Sequence, residues 1–270
     1  MIKPETRSEI KGYLEGFVRG LIEQHRPQTR GAITREARAN YSSKEGVLKP
    51  FHEAIVPAEV IRLSEFERSF STKLGTTFEE CARLIALQNF KHAQRGFRTV
   101  GMISVAAASK IEQIVARLGS HDETDFLHMI EQVIHVQGVE MVERVAIADL
   151  YLLDERGYEH FFEIKSPKPN KGQCLEITER LLRVHAMRQA ARPKVNAYFA
   201  MGYNPYGVTR ASYTHSFSLQ YLDMKNQVLL GPEFWSYIGG EGTYQEVLDV
   251  YREVGREMSK TIVDALAFGY

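Results

Sequence analysis

The chain has 270 residues, 44% of them hydrophobic and 25% charged, and its 34 basic and 34 acidic side chains cancel to a formal net charge of zero. That length gives one large domain or two small ones a sizeable core, and neutrality excludes a basic footprint spread over the whole chain, so any nucleic-acid surface has to be local. Two cysteines, Cys81 and Cys174, exclude a disulfide framework, and no apolar run reaches the about 18 residues of a membrane span.

Met1–Leu14 lacks the apolar stretch of a signal peptide, so a reducing cytoplasm is the expected setting. In chain order, Ile10, Leu14, Phe17, Val18, Leu21 and Ile22 recur at helical spacing and predict a helix over 4–24. From Arg26 to Lys49 the chain is poor in apolar residues and carries Arg26, Arg30, Arg35, Arg38, Lys44 and Lys49 against Glu36 and Glu45, which reads as a loop or arm able to track a phosphate backbone. Helices are expected over Pro57–Leu74, then again after Gly75 with Thr76 or Thr77 as N-cap and Glu79 and Glu80 in the first turn, over Ser104–Leu118, and over Glu123–His135.

Near residue 138 the texture changes to alternation. Glu143–Leu153 and Tyr158–Lys165 flank the turn signal Asp154-Glu155-Arg156-Gly157 and predict a β-hairpin. A helix over Gly172–Ala191 and a strand over Lys194–Met201 follow. Beyond them come a polar aromatic loop to Ser216, strands at Phe217–Leu222 and Gln227–Leu230, a turn at Pro232 and a C-terminal helix from Tyr244. The expected fold class is α/β, a mixed central sheet with flanking helices and an N-terminal helical elaboration. It is read as a single domain over 1–270, mainly helical to 136 and an α/β core from 137.

The chemistry concentrates in Ile147–Gln173. Asp149 stands in the middle of an apolar strand, where a carboxylate needs a reason. Glu163 and Lys165, two apart, share one face of the next strand, with Phe162 and Ile164 on the other, and an antiparallel hairpin brings Asp149 close to residues 162–163. Two carboxylates a few ångström apart suit Mg²⁺ with several waters still attached. The Ile164 carbonyl is a candidate further ligand, and Lys165 supplies a positive charge beside an attacking water or a phosphate. The bare triplet is equally what a solvated strand face shows; the apolar setting of Asp149 and the basic loop after Lys165 favour the site.

This stretch resembles the PD-(D/E)XK nuclease superfamily, and within it the type II restriction endonucleases. The likeness is strong over Ile147–Gln173 and looser over 72–95 and 227–255, and it departs from the pattern at Ala148, where the motif has proline. The resemblance implies a restriction-endonuclease-like fold and hydrolysis of both strands of duplex DNA at a short sequence with 5′-phosphate ends. It implies Asp149, Glu163 and Lys165 as catalytic residues. Gly75-Thr76-Thr77-Phe78-Glu79 resembles a segment that carries a further acidic residue to the metal, a role given to Glu79 with Glu80 as competitor. Alternatives are a structure-specific repair or recombination nuclease with the same core, and a catalytically idle DNA-binding module.

For DNA contact, Lys168, Asn170, Lys171 and Gln173 open the helix after the triad, where amides and lysines suit phosphates. The loop from Tyr203 carries Tyr203, Asn204, Arg210 and Tyr213, side chains of the kind that read base edges. A homodimer is expected for a palindromic target, and a cognate DNA methyltransferase is a candidate companion. His121, Asp125, His128 and His135 fall on one helical face, more often a wet face than a zinc site.

Overall fold

The computed structural model describes residues 1–25, 50–120 and 123–268, so the basic arm from Arg26 to Lys49 and His121 lie outside the described residues. The chain divides into two compact units, one made of Met1–Arg7 with Gly75–Leu248, the other of Ser8–Leu74 with Asp249–Tyr270.

The first unit is organised by a five-stranded mixed sheet, β1 (His92–Ser104), β2 (Met141–Leu153), β3 (Glu159–Ile164), β4 (Val195–Met201) and β5 (Val228–Leu230), ordered β1-β2-β3-β4-β5. The first two pairings are antiparallel and the last two parallel. The β2–β3 hairpin forms as its sequence predicts, because the Asp154 carboxylate accepts from the amides of Arg156 and Tyr158 and closes the turn. The parallel step from β3 to β4 is made through helix α6 (Lys171–Arg188), whose Asn170 and Gln173 form a capping box.

Two layers cover the sheet. On one face α6 packs with α4 (Val105–Gly119) and α5 (Phe126–Ile134), burying Ile111, Ile114, Phe126, Ile130, Ile177 and Leu181 against Phe161, Ala197 and Phe199. On the other, Phe162 meets Phe234 of α8 (Pro232–Gly239) at 5.8 Å between ring centroids. Trp235 donates its indole N–H to the Gly202 carbonyl at 2.8 Å and lies edge-on to Phe78. Each such ring contributes about 1.5–3 kcal/mol on burial, which fixes the strand ends that carry the polar residues described below.

The second unit draws on α1 (Pro4–His25), α2 (Pro50–Ile55), the part of α3 (Ala58–Ala86) before Gly75, and the part of α9 (Thr243–Val263) from Asp249 onward. Within it Phe17 packs on Phe70, Lys11 reaches Glu253 and Glu257, and Arg62 donates to the Leu266 carbonyl. Among the described residues no helix is long and apolar enough to cross a membrane.

Three local expectations give way. Residues 92–104 form the edge strand β1, not part of a helical run. The break expected at Gly75 is absent, since α3 runs straight through it; a helical glycine costs about 1 kcal/mol, outweighed where Cys81, Ala82 and Ile85 are buried one to three turns on. Glu79 and Glu80 therefore sit in a helix interior, not a first turn. Residues Ser216–Tyr221 form a short helix α7, capped by His215 through Ser218 N–H, where a strand was expected, and Pro232 opens α8 rather than a turn.

Candidate active site

The sheet is irregular at one place. β1 and β2 stay in register from His92↔Leu153 to Ser104↔Met141, yet the step facing Asp149, Gly96, is skipped. Gly96 takes the left-handed φ of +56°. Alternation breaks there: Arg95 turns to the carboxylates of α3, whereas Phe97, two residues on, stacks on Tyr151 at 4.0 Å on the α6 side. β2 pairs with β3 only from Leu150↔Phe162 to Leu153↔Glu159. Continued one step, that register sets Asp149 opposite Glu163, but the strands part, and the Asp149 side chain takes the place of a ladder carbonyl: the Ile164 amide donates to its Oδ2 at 2.7 Å.

The residues picked out by the sequence converge at this fork. Lys165 Nζ lies 2.9 Å from Glu163 Oε1 and 3.4 Å from Asp149 Oδ2, so one ammonium bridges both carboxylates. Glu163 is only 3% exposed, since β3 is covered on both faces. Burial, then the neighbouring Asp149 charge, pushes its carboxyl above the usual range. Burial works against the Lys165 ammonium, but Glu163 and Asp149 outweigh it and hold the lysine charged. Two carboxylates are thus held close together in a partly dry setting, where a cation stabilises their charged forms.

α3 separates the two candidate helix carboxylates. Glu79 accepts from Arg95 Nη2 at 2.9 Å, and its carboxyl is raised first by burial, with Asp149 among the further causes and Lys165 acting oppositely. Glu80 shares that arginine, accepting from Arg95 Nη1 at 3.2 Å, but Arg83 holds it more closely at 2.6 Å, and the Arg83 hydrogen bond is the leading cause of its lowered carboxyl. Of the two, Glu79 is the one that senses the fork.

Arg180, which the sequence did not mark, donates from Nη1 to Glu163 Oε1 at 2.8 Å while Nη2 holds Glu176 one turn back. Its separation from Glu163 is not a helical or strand spacing, so only the packing of α6 beside β3 reveals it.

The donors at the fork are carboxylate oxygens, the hard ligands that magnesium-class ions take. Among the described residues no group of three or more His, Cys, Asp or Glu side chains is placed to cage a metal. Two carboxylates are what a Mg²⁺-type ion takes from a protein, since it keeps several waters and rarely sits in an all-protein cage. At the suggested zinc face Asp125 instead caps α5, His128 bonds Gln132, and His135 bonds the Glu131 carbonyl.

Most of the polar side chains expected to face DNA have partners within the chain. Arg210 donates to Glu233 and to the carbonyls of Met224 and Val228. Tyr213 is buried and donates to the Pro167 carbonyl at 2.6 Å. Asn204 braces its own loop through Thr209, Ser212 and the Tyr206 amide. Asn170 and Gln173 cap α6, and Lys171 donates to the Gly119 carbonyl. Lys168 and Tyr203 stay exposed, as does Tyr206, whose ring lies 5.2 Å from Lys168 Nζ.

The chain matches the family described as type II restriction endonuclease, HinfI, over residues 6–255. It is 42% identical over 270 residues to the type II restriction enzyme HgiEI of Herpetosiphon aurantiacus, with 98% of each chain covered. It is 42% identical over 278 residues to HgiCII of the same organism, covering 98% of this chain and 99% of that one. A more distant relative, the type II restriction enzyme MjaII of Methanocaldococcus jannaschii, is 23% identical over 243 residues, with 77% and 62% covered.

Proposed function

Because the chain belongs to the HinfI family of type II restriction endonucleases, we propose that its cutting centre is the fork of β2 and β3, where Asp149 and Glu163 hold Mg²⁺. The family makes the chain a site-specific endodeoxyribonuclease that works with a divalent metal. The observation that carries the assignment is the single Lys165 ammonium shared between Asp149 and the almost fully buried Glu163.

In this reading Asp149 and Glu163 are the protein's metal carboxylates, and the Ile164 carbonyl, between Glu163 and Lys165 in the chain, is the further ligand. A bound Mg²⁺ supplies charge neutralisation at the phosphate and a water of lowered pKa. Asp149 is oriented by the Ile164 amide, which leaves little rotational freedom to its carboxylate. Lys165 stays protonated among its carboxylates and places that charge on the scissile phosphate or the attacking water. Glu79, steered by Arg95, supports the two ligand carboxylates with negative charge from the helix side.

Duplex DNA is approached by Lys168, Tyr203 and Tyr206 beside the fork, whereas Arg210, Tyr213 and Asn204 shape the loop that presents them. Two copies act together on a two-fold target, and a DNA methyltransferase of matching specificity protects the host's own sites. Sedimentation of the protein with and without DNA tests the dimer; a monomer in both states overturns it.

The deciding experiment is digestion of unmethylated phage DNA with Mg²⁺, with Lys165→Ala and EDTA as controls. Discrete bands lost in both controls are expected. Discrete bands that persist with Lys165→Ala would move the cutting centre elsewhere.

A further inference from the structure

Resting on the reading of the fork as the metal site, we infer that Arg180 is the counter-ion of Glu163, holding that carboxylate until a divalent cation displaces it, and so keeping metal affinity low in the DNA-free protein. Two cations meet on the same atom: Lys165 Nζ at 2.9 Å and Arg180 Nη1 at 2.8 Å both lie against Glu163 Oε1. Lys165 also serves Asp149, and its place in the following chain segment ties it to the fork. Arg180 arrives from a different element, α6, and its side chain is 39% exposed.

Arg180 also has somewhere to go. Its other terminal nitrogen is bonded to Glu176, one helical turn back on the solvent side, where that carboxylate is 55% exposed. Letting go of Glu163 therefore leaves the guanidinium paired and hydrated, and the displacement strands no buried charge. The unfavourable part is electrostatic: an ion of charge two entering beside Glu163 competes with a positive charge already on that carboxylate oxygen, an interaction that is large at the effective dielectric of a partly buried site. A DNA phosphate arriving with the ion offsets that repulsion. By linkage, whatever makes metal binding favour the DNA-bound state makes DNA binding favour the metal-bound state equally.

The test is Mn²⁺ binding to the purified DNA-free protein, followed by the paramagnetic resonance of free Mn²⁺, so no cleavage is read. Arg180→Gln is expected to bind Mn²⁺ roughly tenfold or more tightly than the unaltered protein, while Arg180→Lys, which keeps the charge, stays close to it. A gain of affinity is not something structural damage produces. Equal or weaker binding in Arg180→Gln overturns the inference, since it would make Arg180 an orienting residue. If Arg180→Gln does not fold, Glu176→Gln serves: with its second partner gone Arg180 stays on Glu163, and Mn²⁺ binding weakens severalfold; unchanged binding overturns the inference. Asp149→Asn separates the two levels of the argument. Loss of Mn²⁺ binding there with no change in Arg180→Gln sinks the counter-ion alone, whereas undiminished binding in Asp149→Asn sinks the metal site and the counter-ion with it.

Discussion

The fork of β2 and β3 and the loop from Tyr203 to His215 carry comparable stocks of charged and hydrogen-bonding side chains, yet their circumstances are opposite. At the fork, the Asp149 charge works against both the Glu163 and the Glu79 carboxylates, with Lys165 and Arg180 crowded onto one carboxylate oxygen. In the loop, Arg210, Asn204 and Tyr213 satisfy carbonyls, a carboxylate and their own turn. The difference teaches where function can reside: groups whose mutual interaction is unfavourable are ready to accept an ion or a substrate, and groups already satisfied are committed to holding shape.

The largest expected effect breaks the fork. Asp149→Ala and Lys165→Ala should each lower cleavage on the order of 10³-fold, with circular dichroism and melting showing a folded protein; near-normal cleavage in either would dissolve the contrast. Next comes the loop. Arg210→Ala should cost about 2 kcal/mol of stability, read by urea unfolding, because two carbonyls lose a donor and Glu233 keeps only the Leu230 amide, with the figure discounted for the partial exposure of the pair. Its DNA fragment pattern should be unchanged, and a new pattern at full stability would return Arg210 to the bases.

How much of this was open to reading from the sequence follows the same line. The hairpin, the meeting of Asp149, Glu163 and Lys165, and the mixed α/β class were legible because local signals coincide there: alternation, a turn closed by Asp154, a carboxylate among apolar neighbours. β1 was not legible, because the left-handed Gly96 shifts the side-chain phase midway and spoils the alternation by which a strand is recognised. Arg180 was invisible because its partner stands on another element. The internal partners of the loop were not legible, because residue type tells what a side chain can bond and not what it has already bonded; Tyr213 and the Pro167 carbonyl meet across 46 residues.

Smaller effects sharpen the comparison. Glu79→Gln should lower cleavage about tenfold, as orienting groups around a metal do, while Glu80→Gln, whose carboxylate is engaged by Arg83, should change it less than about twofold. Steady-state cleavage rates for the pair decide it, and equal losses would undo the separation of the two. Lys168→Ala should weaken DNA binding evenly across sequences and reduce the salt slope by about one, measured by titration at several salt concentrations; an unchanged slope would remove Lys168 from the phosphates.

Gly96 has no reactive side chain, and beyond its two chain neighbours no heavy atom lies within 4 Å of where a β-carbon would stand. A β-carbon fits there sterically, and what opposes it is the torsion of the chain itself, at about 1–2 kcal/mol. A search for inactive variants would thus turn up a residue that no inventory of catalytic groups contains, and the damage would be graded by conformational tolerance: asparagine mild, alanine worse, valine worst. With the cutting centre proposed at the fork, the enzyme's chemistry is in this sense written partly in a dihedral angle, inherited through a codon that specifies the absence of a side chain.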